Sequence, residues 1–160
     1  MPLKEHSPNS AASLEFETRN NEQRRRDAGA TLRAFRPLLR AIVCTIVPEA
    51  TAMSENAWTE FDALVDAALG DRPLELQRRL QLFLRAIEWL PLLRFGRRFT
   101  SLLPAQRARF LSSLENHHLQ LIRSGFWGLR TLVLLGYYGR PEALAAIGYA
   151  ADPRGWEARR

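Results

Sequence analysis

The stretch GFWGLRTLVLLGYYG, residues 125–139, decides the fold class. It lies within a segment, near 118–138, that reads as one helix with apolar side chains on nearly every side. Such a helix is buried by neighbours or by a bilayer. The run Leu119 to Tyr138 is long enough to span a membrane. Arg123 and Arg130 lie inside it, and an arginine near the centre of a spanning helix costs about 2.5–3.5 kcal/mol. The segment is therefore expected to be the central helix of a water-soluble bundle, with neighbours on most sides. Gly125, Gly128 and Gly136 each weaken it as an isolated helix by about 1 kcal/mol against alanine. A glycine within a packed helix marks close approach of another element.

Outward from this segment the chain is punctuated by prolines and glycines, and every apolar pattern has helical spacing. Leu32, Phe35, Leu39, Ile42, Val43 and Ile46 make a first stripe over 28–46, interrupted at Pro37 and ended at Pro48. Ser54 caps a second helix over 55–69, with Trp58, Phe61, Leu64, Val65 and Ala68 inward and Gly70 as the stop. Asp71 and Pro73 open a third, striped by Leu76, Leu80, Phe83, Leu84, Ile87 and Leu90; Pro91 ends or bends it, and Gly96 closes the segment. Pro104 opens a fourth that reaches Asn116, with Phe110, Leu111 and Leu114 inward. A short helix follows Pro141, carries Leu144 and Ile147, and stops at Gly148. No segment alternates as a strand would. The expected fold is all-α, a compact bundle of five to six helices around the helix near 118–138. Residues 1–27 are polar and read as a disordered or loosely attached segment, 28–150 as the helical domain, and 151–160 as a polar tail.

The chain has 160 residues and a net charge of +6, and all but one of its 23 basic residues are arginine. The charge is uneven. Residues 49–71 hold six acidic groups and no base, whereas residues 72–130 hold eleven arginines against three glutamates. An acidic block followed by a basic one suggests neutralisation between neighbouring helices and argues against a nucleic-acid stripe. No secretory signal is legible near the start. Arg24-Arg25-Arg26 imitates a twin-arginine start, but Arg33, Arg36 and Arg40 break the apolar run that should follow. The chain is therefore expected to be cytoplasmic as made.

Site chemistry is sparse. One cysteine, Cys44, excludes a disulfide framework and a cysteine-rich metal site within the chain, and its place on an apolar stripe reads as an inert buried thiol. His117 and His118 are adjacent, so on a helix they diverge by about 100° and do not converge on one metal. The acidic residues of the second helix lack a Glu-x-x-His spacing. No phosphate loop, nucleophile elbow or zinc-helix motif occurs. No catalytic residue, cofactor site or metal site is assigned. Two aromatic clusters stand out as interface candidates: Phe126, Trp127, Tyr137 and Tyr138, and then Trp89, Phe95 and Phe99 among Arg94, Arg97 and Arg98.

Three stretches, LRAIVCTIVPEA (39–50), FGRRFTSLLPAQRARFLSSLE (95–115) and GFWGLRTLVLLGYYGRPEALAAIGY (125–149), resemble in order and spacing the small, gamma-type subunit of gluconate 2-dehydrogenase and related flavin-dependent sugar dehydrogenases. Similar segments occur at the start of some long-chain alcohol oxidases. Phe99 with Leu103-Pro104, and Gly136-Tyr137-Tyr138 with Pro141-Glu142 and Gly148-Tyr149, carry most of the resemblance. It implies a non-catalytic accessory subunit, free of cofactor, that binds and stabilises or helps mature a large subunit. That partner would be of the glucose–methanol–choline class and hold the FAD, and a cytochrome c subunit often takes its electrons. The expected partner-binding residues are Trp127, Gly136, Tyr137 and Tyr138 with Phe99, and Arg98 at the rim. Many such subunits carry a twin-arginine signal. This sequence departs there, so a periplasmic or inner-membrane-associated location would require export with the partner. The competing reading is a free-standing helical interaction or regulatory domain with an unrelated partner.

Overall fold

The computed structural model describes residues 33–70, 72–146 and 148, together with Arg19. The expected N-terminal segment, the C-terminal tail, Leu32, the Asp71 cap and Ile147 lie outside the described residues. Among those described, no strand occurs and the structure is helical throughout. The elements are α1 (Arg36–Ile46), a 3-10 turn (Pro48–Ala52), α2 (Glu55–Gly70), α3 (Leu74–Trp89), α4 (Pro91–Phe95), a second 3-10 turn (Phe99–Ser101), α5 (Pro104–Glu115), α6 (Gln120–Tyr138) and α7 (Pro141–Ala146).

Proline sets most of the boundaries. Pro37 falls in the first turn of α1, where its missing N–H is no loss; the part of the expected first helix before residue 33 lies outside the described residues. Pro48 drives Val47 into extended backbone and ends α1. Pro91 opens the separate short helix α4, which stops at Gly96 with φ of 67°. The Ser54 hydroxyl accepts the Ala57 N–H at 3.2 Å and caps α2.

α6 packs against α1, α2, α3 and α5 and leads into α7. Its closest neighbour is α2. A Cβ on Gly136 would stand 2.5 Å from Phe61 Cε2 and 2.9 Å from Val65 Cγ2, so only glycine lets the two helices come this near. At the other end Phe83 of α3 approaches Gly125 in the same manner, at 3.2 Å. Ile42, Val43, Leu84, Ile87 and Phe99 are fully enclosed, and Phe61, Leu129 and Val133 nearly so. The stripe expected on α3 is only partly right. Leu84 and Ile87 are buried, but Leu76 and Leu90 are exposed, and Gln77 takes a buried place instead. Its Nε2 donates to the carbonyls of Leu69 and Arg72, each at 3.1 Å, and closes the end of α2.

Neutralisation between helices takes a different course from the expected one. The acids of α2 turn back to α1: Arg36 Nη2 lies 2.6 Å from Asp62 Oδ2, and Arg40 grips Glu55 with both Nη atoms at 2.9 and 2.8 Å. Arg40 also stacks over Trp58 at 4.9 Å. The basic stretch that follows is left without these acids, because α1 reaches them first.

Two predictions follow from the packing and the charges. Gly136→Ala should lower stability in urea unfolding, because overpacking of about 1–3 kcal/mol opposes the gain in helix propensity. Gly128→Ala, whose Cβ would meet nothing within 4 Å, should instead raise it by about 0.5–1 kcal/mol. Burial beside Asp62 raises the Asp66 carboxyl above the ordinary range, against the pull of Arg33 and Arg36. A raised carboxyl stabilises the fold below its unfolded pKa and loses that contribution as pH rises through the folded value. Asp66→Asn should therefore raise the Tm at neutral pH, with the gain vanishing on acidification below the unfolded carboxylate range.

Candidate functional site

α6 keeps one side open. Phe126, Leu129, Val133 and Gly136 are buried on its inner face. Leu121, Trp127, Leu135 and Tyr138 remain exposed, at 81%, 49%, 50% and 39%. At 100° per residue these four fall, with Ser124, Gly128 and Thr131, within an arc of about 120° along one side of the helix. Helices as short as its neighbours leave part of such a helix uncovered, and close seating on α2 and α5 concentrates coverage on the opposite side.

The arc is held from behind. Arg130 donates to Glu115 Oε1 of α5 at 2.6 Å, and its guanidinium stacks 5.2 Å from the Trp127 ring. The indole is thus fixed by a cation that is itself tied to the scaffold. Tyr137 turns inward against the core and meets Tyr138 edge-on at 5.0 Å. Arg140, 4% exposed, lies over Tyr137 and donates from Nε to the Tyr137 carbonyl at 3.1 Å. A buried arginine here was not foreseen, because Gly139-Arg140-Pro141 reads as a turn.

The expected partner-binding residues do not form one surface. Trp127 and Tyr138 share the open arc, whereas Tyr137 falls outside it, beside the buried Phe126. Gly136 is buried under Phe61, so it shapes the helix contact and does not meet a partner directly. Phe99 is fully enclosed and belongs to the core. Its aromatic type and its place among arginines suggested a surface patch, but the 3-10 turn points it inward, where it meets Phe110 at 5.9 Å. Arg98 is exposed on the stretch before that turn, with its guanidinium 4.1 Å from the Trp89 ring of α3. It marks a second locality.

That second locality is held by polar contacts. Glu88 accepts the Thr100 hydroxyl at 2.7 Å and the Thr100 N–H at 3.4 Å. Arg107 of α5 donates to the carbonyls of Phe99 and Thr100 at 3.2 and 2.5 Å.

The described residues contain no group of three or more His, Cys, Asp or Glu placed to hold a metal. His117 and His118 stack face to face at 4.4 Å instead of diverging, because they precede α6 and are not helical. His117 Nδ1 accepts the Leu119 N–H at 3.1 Å, a local turn role. Burial pushes the Cys44 thiol up, against Arg107 and Arg40, and a raised thiol is a poor nucleophile at neutral pH. The surface offers binding, through a rigid aromatic arc and an arginine-rich corner.

The model of the gluconate 2-dehydrogenase subunit 3 family matches residues 35–157. No curated protein and no solved structure matches the chain.

Proposed function

Since the chain belongs to the gluconate 2-dehydrogenase subunit 3 family, we propose that it is a non-catalytic accessory subunit that binds and stabilises a large flavin-dependent oxidoreductase of the glucose–methanol–choline class. The observation that carries this reading is the open arc of α6, which lies within the family match and presents two half-exposed aromatic rings on a packed scaffold. Trp and Tyr dominate binding hot spots because they bury large area at little entropic cost. In this reading the FAD, and electron transfer to any cytochrome c subunit, belong to the partners. This chain acts by mass action: a ligand of the folded large subunit that ignores the unfolded chain shifts the folding equilibrium. The complex forms in the cytoplasm, and an exported partner would carry the small subunit with it.

The test is co-purification of the tagged protein with a flavoprotein from its native host, read by the visible flavin absorbance of the eluate. Trp127→Ala and Tyr138→Ala together should weaken the complex by about 2 kcal/mol or more, the hot-spot range, and lower the large subunit's Tm in the mixture. The variant's own Tm should change little, since both rings are half-exposed. Unchanged co-purification would remove the α6 arc from the interface. A colourless eluate from native protein, in cells making both subunits, would favour a free-standing interaction domain.

A further inference from the structure

The corner formed by the end of α3, by α4 and by the turn after it has no part in the reading above. The chain bends there around Pro91, which is buried. The apolar side chains on either side of it point out: Trp89 at 48%, Leu90 at 45%, Leu92 at 43% and Leu93 at 87% exposure. They are nearly consecutive, so they cluster at one bend of the chain and do not form the long stripe that another helix would need. Arg94, Arg97 and Arg98 follow directly, all exposed. Arg94 and Arg98 lie over Phe95 and Trp89, at 5.7 and 4.1 Å, and among the described residues no carboxylate pairs with any of the three.

The surroundings are strongly one-sided in charge. From residue 76 to residue 114 there are eight arginines and a single acid, Glu88. That acid is turned onto Thr100. Two acids of α2, Glu55 and Asp62, are engaged by α1. Arg79 is paired with Glu75, but among the described residues the three arginines of the corner are not paired with a carboxylate, so the corner is an apolar cluster beside three uncompensated cations. Its backbone is fixed by Phe99 in the core and by Arg107 on two carbonyls.

We propose that this corner docks on an anionic lipid bilayer, with Leu90, Leu92 and Leu93 entering the headgroup–acyl boundary and Arg94, Arg97 and Arg98 on lipid phosphates. Trp89 would sit at headgroup level, where an indole finds both an apolar and a wet side. A short exposed leucine cluster bordered by three unpaired arginines matches the two layers of an anionic bilayer surface, acyl boundary and phosphate. The contact is monotopic: no helix among the described residues is long and apolar enough to cross a membrane. Apolar insertion and attraction to anionic lipid add together in such anchors. The proposal is independent of the α6 arc.

Co-sedimentation of the full chain with vesicles tests it. Vesicles of equal phosphatidylcholine and phosphatidylglycerol should bind the protein at low salt about tenfold more tightly than phosphatidylcholine alone, and less so as salt rises. The double variant Leu92→Ser with Leu93→Ser should lose about tenfold in vesicle affinity without a change in circular dichroism or Tm, since both side chains are exposed. Arg94→Gln with Arg97→Gln should remove the preference for anionic lipid. Trp127→Ala should bind vesicles as the native chain does. No binding to anionic vesicles at low salt would overturn the proposal. So would a leucine variant that binds as well as the native chain, which would mean adsorption by charge alone. A leucine variant that releases the flavoprotein, from a native chain that ignores vesicles, would assign the corner to a protein interface and overturn it too.

Discussion

Phe61 occupies the place where a Cβ on Gly136 would be, and the arrangement of the bundle depends on that contact. It brings α2 onto α6 at a separation a larger residue would forbid. Trp58, Phe61 and Val65 then cover one flank of α6. Phe110, Leu111 and Leu114 of α5 add to the same core, and Phe83 of α3 closes on Gly125. The tighter these contacts, the more completely burial falls on one side of the helix. Protein interiors pack densely, so short helices drawn this close leave, among the described residues, no element over for the remaining arc. The same contact that makes α6 the hub therefore makes its outer face available.

The ion pairs distribute charge more than they add stability. Arg40 and Glu55 meet in the two-bond geometry arginine favours, but the carboxylate is exposed, and water and salt screen such a pair so that it adds little. Their larger effect is on what remains. With Glu55 and Asp62 held by α1 and Glu75 held by Arg79, the arginines of the α3–α4 corner keep their field. Glu115 does for Arg130 what Glu55 does for Arg40, and in doing so fixes Trp127. Positive charge is thus neutralised beside the aromatic arc and left free at the α3–α4 corner.

Much of the fold was legible because prolines and glycines act locally. Pro48, Pro91, Gly96 and Pro104 mark boundaries through their own backbone restrictions, and these hold whatever the tertiary packing. The inward residues of α2 and α5 were legible because their stripes are narrow. α6 was harder: a helix apolar on all sides does not say which side is covered, and only the partner side chains decide that. Gln77 escaped notice because its burial depends on two carbonyls at the end of another helix. Phe99 was misplaced for a similar reason. Its neighbours in sequence are arginines, but a 3-10 turn rotates it away from them into the core. Sequence adjacency put Arg98 with Phe99; the fold gives Arg98 to Trp89 instead.

A subunit without acid–base machinery acts only through what it binds, so the stiffness of its surfaces matters. The α6 arc is backed by a packed helix and a fixed guanidinium, and a surface already held in its bound shape loses less entropy on association. The α3–α4 corner is stiffened by a different set of contacts, those of Glu88, Phe99 and Arg107. No hydrogen bond or ion pair of one set is shared with the other. Perturbations at separate sites without shared partners add nearly independently. The fold can therefore present two surfaces that vary independently, one aromatic and neutralised, the other apolar and cationic, on a frame that the Phe61–Gly136 contact keeps together.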